Sequence, residues 1–299
     1  MTTVELIYQS DGGATATAQD PPKDAAGALQ RLNAGNQAFA NLFRDIEHGT
    51  GSARRVIPIN PADLGLSGAS GAAAVQRPFA AVLGCADARV PVELIFGEGP
   101  NDLFVVRVAG NTLGDDVHGS LRYALDHLGD SLKLVVVLGH SGCGAVTAAV
   151  DVFLDPAGYL SLTARHSIRN LVDRLQVVVG ASARRLADAF GEGVVREPGY
   201  REALIEVAVV SNAALGAHTL LRETVGDTAQ SVEVAYGVYL LDQRFVWAPR
   251  AGSDEVIGLA TPPRDGPAFA EFSVAVMQSE RIRAILGRPL HVARNALRK

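Results

Sequence analysis

Cysteine is almost missing from this sequence, at two in 299 residues. Two thiols are too few for a disulfide framework, so the fold must be held by a packed core. A strong excess of one charge is also lacking. The formal net charge of −5 is too mild for a general nucleic-acid binder, and no nucleic acid is expected as a partner. Residues 1–24 have no basic stretch followed by an apolar core, so no secretory signal is expected. No run reaches the ~20 apolar residues of a membrane span, so no membrane partner is expected either. No segment repeats. What is present is a chain 48% hydrophobic and 20% charged, able to bury a sizeable core as one large or two small domains.

Residues 1–24 read as a disordered lead-in, because 9–24 are small, polar and proline-containing. A helical arm follows from Ala25, with Leu29, Leu32, Phe39 and Phe43 on one apolar face. Residues 51–77 are rich in Gly, Ser, Ala and Pro and read as a surface insertion. From Phe79 the pattern alternates. Strands are expected at Phe79–Gly84, Leu103–Val108, Leu132–Leu138, Ser231–Leu240 and Arg244–Trp247. Helices are expected at Pro91–Phe96, Asp115–Leu128, Ala145–Phe153, near Ala164–Phe190 and near Tyr200–Val225. Continuous apolar strands separated by helices predict an α/β fold, with a mostly parallel central sheet flanked by helices. Residues 25–250 form the α/β domain on this reading. Residues 251–299 form a C-terminal extension, helical from Phe269. After Glu280 the extension carries only basic charge, at Arg281, Arg283, Arg288, Arg294, Arg298 and Lys299. That pattern fits a solvated helix, or a segment that docks on an acidic partner or neighbouring subunit.

Both cysteines lie just past apolar strands. Cys85 opens Cys85-Ala86-Asp87-Ala88-Arg89, and Cys143 closes His140-Ser141-Gly142-Cys143. In an open α/β sheet, ligands gather beyond the carboxyl ends of the strands. Cys85 and His140 therefore share one sheet edge, and Cys143 returns to it after one short turn. Two thiols and an imidazole suit Zn²⁺ with one position left open, the mark of a catalytic rather than a structural site. A buried cysteine can also be a small hydrophobe, but two lone cysteines placed in this way favour a metal. Gly139, Gly142 and Gly144 allow the chain to bend around the ion, and the following helix N-terminus favours thiolate at Cys143. Thiolate ligands require a reducing compartment, which we read as the cytoplasm. Asp87 lies two residues past Cys85 and can reach metal-bound water, while Arg89 can hold it as a charge-assisted pair. Two thiolates cancel the charge of Zn²⁺, so bound water is less acidified than at an all-histidine site. Activity is then expected to rise with pH through the neutral and alkaline range. Gly139-x-x-Gly142-x-Gly144 mimics a dinucleotide loop, but its spacing is wrong and a His and a Cys occupy the turn.

Cys-x-Asp-x-Arg, followed some fifty residues later by His-x-x-Cys after an aliphatic strand, resembles the β-class carbonic anhydrases. The resemblance extends through Leu29-x-x-Leu-x-x-Gly-Asn36-x-x-Phe39, Arg77-Pro78-Phe79, Asp102 to Asn111 and Gly237-Val238-Tyr239. It implies Cys85, His140 and Cys143 as zinc ligands and Asp87 with Arg89 as the catalytic dyad. It implies reversible hydration of carbon dioxide to bicarbonate and a proton, by attack of zinc-bound hydroxide. It further implies a substrate pocket of Gln76, Phe104 and Tyr123, a proton-transfer role for His127, and a homodimer or higher even oligomer in which the Gln comes from the partner subunit. Ala88 stands where the family commonly has Ser. Val82 stands where members with an allosteric bicarbonate pocket carry Trp, so an accessible site is expected. Two alternatives remain on the same scaffold: hydrolysis of carbonyl sulfide or carbon disulfide, and a non-catalytic zinc-stabilised scaffold.

Overall fold

The computed structural model describes residues 3–9, 20–47, 52–64, 73–162, 166–222, 232–249 and 258–288. The elements in chain order are β1 (Thr3–Gln9), α1 (Ala25–Glu47), β2 (Ser52–Pro58), β3 (Ala80–Gly84), α2 (Val92–Phe96), β4 (Leu103–Arg107), α3 (Asp115–Leu128) and β5 (Leu134–His140). They continue with α4 (Gly144–Leu154), α5 (Tyr159–Leu162), α6 (His166–Phe190), α7 (Tyr200–Leu220), β6 (Glu233–Tyr239), β7 (Val246–Trp247), α8 (Gly266–Gln278) and α9 (Glu280–Ile285). Five strands form one sheet in the order β4-β3-β5-β6-β7. The first four are parallel and β7 is antiparallel to β6. The α/β fold with a mostly parallel sheet is therefore present.

Two compact units divide the chain. The first comprises Met1–Ser141, Ala213–Ala248 and Ile257–Pro262. Its core explains the unbroken apolar strands: every residue of β3 and β5 is buried. Each fully buried Val or Leu contributes about 1.5–3 kcal/mol over its exposed state. Leu32 and Phe39 of α1 pack with Phe79, Val136 and Leu138 in this core. Asn36 ties the same helix to the far sheet edge, accepting from Val246 N at 2.7 Å and donating to Arg244 O at 3.0 Å. The second unit comprises Gly142–Asn212, Pro249–Val256 and Pro263–Lys299. There Val172, Leu175, Val179 and Leu186 form a buried stripe along α6, at the spacing of one helical face.

Three expectations are corrected. Residues 1–24 are not uniformly a lead-in, because Thr3–Gln9 forms β1, parallel to β2. Thr3 to Tyr8 is rich in β-branched and aromatic residues, which suit a pleated surface. The expected insertion at 51–77 contains β2 and a single helical turn at Pro61–Leu64, hidden by the Gly- and Ala-rich composition around them. Residues 10–19 and 65–72 lie outside the described residues. Among the described residues one helix, α7, is long and apolar enough to cross a membrane by length and composition, but 67% of its most apolar stretch is buried inside the chain. Burial on that scale is what a core helix shows.

Candidate metal centre

Parallel pairing of β3 with β5 aligns Gly84 with Leu138. Cys85 directly follows β3, and His140 is the last residue of β5 rather than lying past it, as expected from sequence. Gly142 then adopts a left-handed φ of 61°, a conformation that glycine reaches without steric cost. That residue turns the chain so that Cys143 becomes the N-cap of α4. The donor atoms of Cys85, His140 and Cys143 all lie within 4.8 Å of one another, and all three residues are buried. Neither cysteine forms a disulfide.

His140 is the most informative member. Its Nδ1 lies 3.0 Å from the Ser141 carbonyl oxygen. A carbonyl only accepts, so Nδ1 carries the proton and Nε2 presents a bare lone pair. Nε2 is buried with no hydrogen-bond partner. A buried polar atom left unpaired is costly unless something else satisfies it. A cation between this nitrogen and two sulfurs would do so, and the donor set fits zinc. Cys85 Sγ also accepts a hydrogen bond from Gly110 N at 3.3 Å, which favours the thiolate. The N-terminal end of α4 does the same for Cys143.

Asp87 and Arg89 meet in the paired geometry expected of them. Arg89 Nε donates to Asp87 Oδ1 at 3.0 Å, its NH2 to Oδ2 at 2.7 Å, and its backbone N to Oδ1 at 2.9 Å. The Arg89 side-chain hydrogen bonds hold the Asp87 carboxyl well below the usual carboxylate range, against a smaller opposing effect of burial. Asp87 is therefore ionised at any ordinary pH and accepts hydrogen bonds only. Its Oδ2 stands 3.8 Å from His140 Nε2.

The other expected residues are placed apart from this cluster in their exposure. Gln76 is exposed, and Phe104 is half-buried on β4 at the sheet edge. Tyr123 is 49% exposed. His127 is exposed one turn later on α3, its ring stacked on Tyr123 at 4.4 Å with Nδ1 3.1 Å from the Tyr123 carbonyl.

Three contributors carried no assignment from sequence. Arg107 donates from Nε to Cys85 O at 2.9 Å and from NH2 to Asp87 O at 2.6 Å. It thereby fastens the turn that bears both groups. An arginine ending an apolar strand, at the edge where ligands gather, was the available signal. Glu206 accepts from Gly142 N at 2.9 Å, and Arg281 Nε donates to Glu206 at 2.8 Å. No local pattern announces Glu206, and Arg281 stands out in the sequence only as one of the basic residues after Glu280.

Residues 80–243 match the family model described as Carbonic anhydrase. A Mycolicibacterium smegmatis protein named Carbonic anhydrase is 34% identical over 182 residues, covering 58% of this chain and 83% of the relative. A Mycobacterium tuberculosis protein named Carbonic anhydrase 2 is 44% identical over 109 residues, covering 36% of this chain. The matched stretch spans about half of that relative, 48% of its length. A solved β-carbonic anhydrase of Sordaria macrospora aligns with 78% of this chain and 99% of its own at 20% identity, with a TM-score of 0.46.

Proposed function

From the premise that this chain belongs to the β-class carbonic anhydrase family, we propose that it catalyses reversible hydration of carbon dioxide to bicarbonate and a proton. The observation that carries this reading is the buried cluster of Cys85, His140 and Cys143, whose donor atoms lie within 4.8 Å of one another, with His140 Nε2 buried and without a hydrogen-bond partner. Cys85, His140 and Cys143 would hold a zinc ion. When bound, zinc supplies Lewis acidity that generates a nucleophile near neutral pH. Every other contribution comes from the chain. Asp87, fixed by Arg89, offers a carboxylate oxygen that accepts a hydrogen bond and never donates one, so it orients the attacking group without being consumed. Arg107 keeps the Cys85–Asp87 turn in place through two carbonyls.

On the same reading a second copy of the chain is the partner. Gln76, Tyr123 and His127 are exposed in the single chain, as residues of a pocket completed by a dimer would be. Phe104 lines that pocket with Gln76 and Tyr123, and His127 carries protons between the site and buffer. Thiolate ligands place the working protein in a reducing compartment, which we take to be the cytoplasm.

The test is stopped-flow hydration of carbon dioxide by the zinc-loaded chain, with hydrolysis of carbonyl sulfide and carbon disulfide assayed beside it. Hydration well above the uncatalysed rate, rising from neutral to alkaline pH, is the expected result. A zinc-loaded chain that hydrates no carbon dioxide refutes the proposal. Turnover of only the sulfur compounds would transfer the site to that chemistry.

A further inference from the structure

We propose that Glu206 of α7 and Arg281 of the C-terminal extension are positioning residues that hold the metal loop. The inference rests on the reading that Cys85, His140 and Cys143 bind zinc, and through Arg281 it adds a contribution from outside the matched residues 80–243. Gly142 is one of two residues between His140 and Cys143, and its backbone N donates to Glu206 Oε1 at 2.9 Å. The other carboxylate oxygen, Oε2, accepts from Arg281 Nε at 2.8 Å. Glu206 lies buried on α7, 8% exposed, so these charge-assisted bonds are little screened by solvent.

Arg281 is itself held in place. It sits in the first turn of α9, whose Ile282 is fully buried. The backbone of α9 comes so close to Gly199 that a Cβ there would lie 2.0 Å from the Ile285 carbonyl oxygen. Arg288, just past α9, pairs with Glu197. The extension is therefore not simply a solvated basic helix. Arg281 and Arg288 are engaged within the chain, while Arg294, Arg298 and Lys299 lie outside the described residues.

The Gly142 peptide sets the spacing between His140 and Cys143. A carboxylate that holds this peptide, and is held in turn by a guanidinium, limits how far Cys143 can swing away from a bound ion. Partners that orient ligands in this way typically alter metal affinity about 10–100-fold when removed. Glu206→Gln keeps the shape but turns an amide NH2 toward one of its two donors. Arg281→Met leaves Glu206 without this counter-charge, and Arg281→Lys restores charge without the planar fork.

The experiment loads the full-length protein and each variant with zinc and follows transfer of the metal to a colorimetric chelator, with thermal melting recorded in parallel. Glu206→Gln and Arg281→Met are expected to lose zinc about 10-fold faster than wild type, and the double variant no faster than the quicker single one. Arg281→Lys should fall between, and serves if Glu206→Gln does not fold. Arg288→Ala, which breaks the other anchor of the same segment, should release zinc at the wild-type rate. Wild-type release rates in Glu206→Gln and Arg281→Met, or equal acceleration in Arg288→Ala, would overturn the inference alone. A wild-type chain that takes up no zinc would overturn the proposed function and this inference with it.

Discussion

Replacing Asp87 by Asn separates chemistry from stability, because the two effects differ in size. The Asp87 side chain is 18% exposed and Arg89 is 61% exposed, with 2.7 Å between the charged atoms. An ion pair so open to water is worth ~0–1 kcal/mol to folding. Asn can keep the hydrogen bonds at Oδ1, so the fold should lose no more than that. The proposed role in the reaction is less forgiving. An acceptor-only oxygen becomes a neutral amide whose NH2 faces either Arg89 or the reacting group, and in each case a donor stands where an acceptor is required. Loss of a single well-placed orienting group costs roughly 10²-fold in rate, about 2.7 kcal/mol on the barrier. Stopped-flow hydration of carbon dioxide, urea denaturation and zinc analysis on one preparation measure all three quantities. The expected result is full zinc, near-normal stability and about a hundredfold slower turnover. Activity within threefold of wild type at full zinc content would refute the assignment of Asp87.

Cys85→Ser should retain less than about a tenth of the wild-type zinc after dialysis, since a hydroxyl is a poor substitute for a thiolate on this ion; atomic absorption decides it. Burial pushes the Glu98 carboxyl up to about 7, against the opposing pull of Arg31. The folded state therefore binds this proton more tightly than the unfolded chain, so its stabilisation is complete below about pH 4.5 and is lost as pH rises through about 7. Melting temperature should fall over that window, and Glu98→Gln should flatten the fall; an unchanged slope in the variant would remove Glu98 as its cause. Gly35→Ala should destabilise by about 1–3 kcal/mol or more, because a Cβ there would lie 1.8 Å from the Phe96 carbonyl oxygen. Gly119→Ala, mid-helix in α3 with nothing within 4 Å, should instead stabilise by about 0.5–1 kcal/mol. Urea midpoints of the two variants moving in the same direction would contradict the packing argument.

Much of the sheet was legible because its signal is local. Leu134 to Leu138 is an unbroken aliphatic run that water excludes on both faces, and the expected strand there is shifted by two residues from the observed Leu134–His140. The helix expected at Asp115–Leu128 matches α3 at both ends, since Gly114 and Gly129 bracket it. The Cys85, Asp87, Arg89, His140 and Cys143 cluster was legible for a related reason. Residues that follow neighbouring parallel strands must arrive at one edge, and short spacing fixes the rest. β1 and β2 were missed because their pairing joins segments some fifty residues apart, each embedded in small polar residues.

The sequence by itself determined the chemistry available: two thiols, one imidazole and one carboxylate–guanidinium pair, each placed at or just past the end of a strand. Tertiary structure alone decided how these groups are held. Only folding brings Arg107 onto the Cys85 and Asp87 carbonyls, and Arg281 through Glu206 onto the Gly142 peptide. The physical reason is that these are hydrogen bonds to backbone groups, which every residue carries. Composition and periodicity therefore leave no mark of which peptide will be chosen, and the choice is made by packing between elements 64 and 75 residues apart.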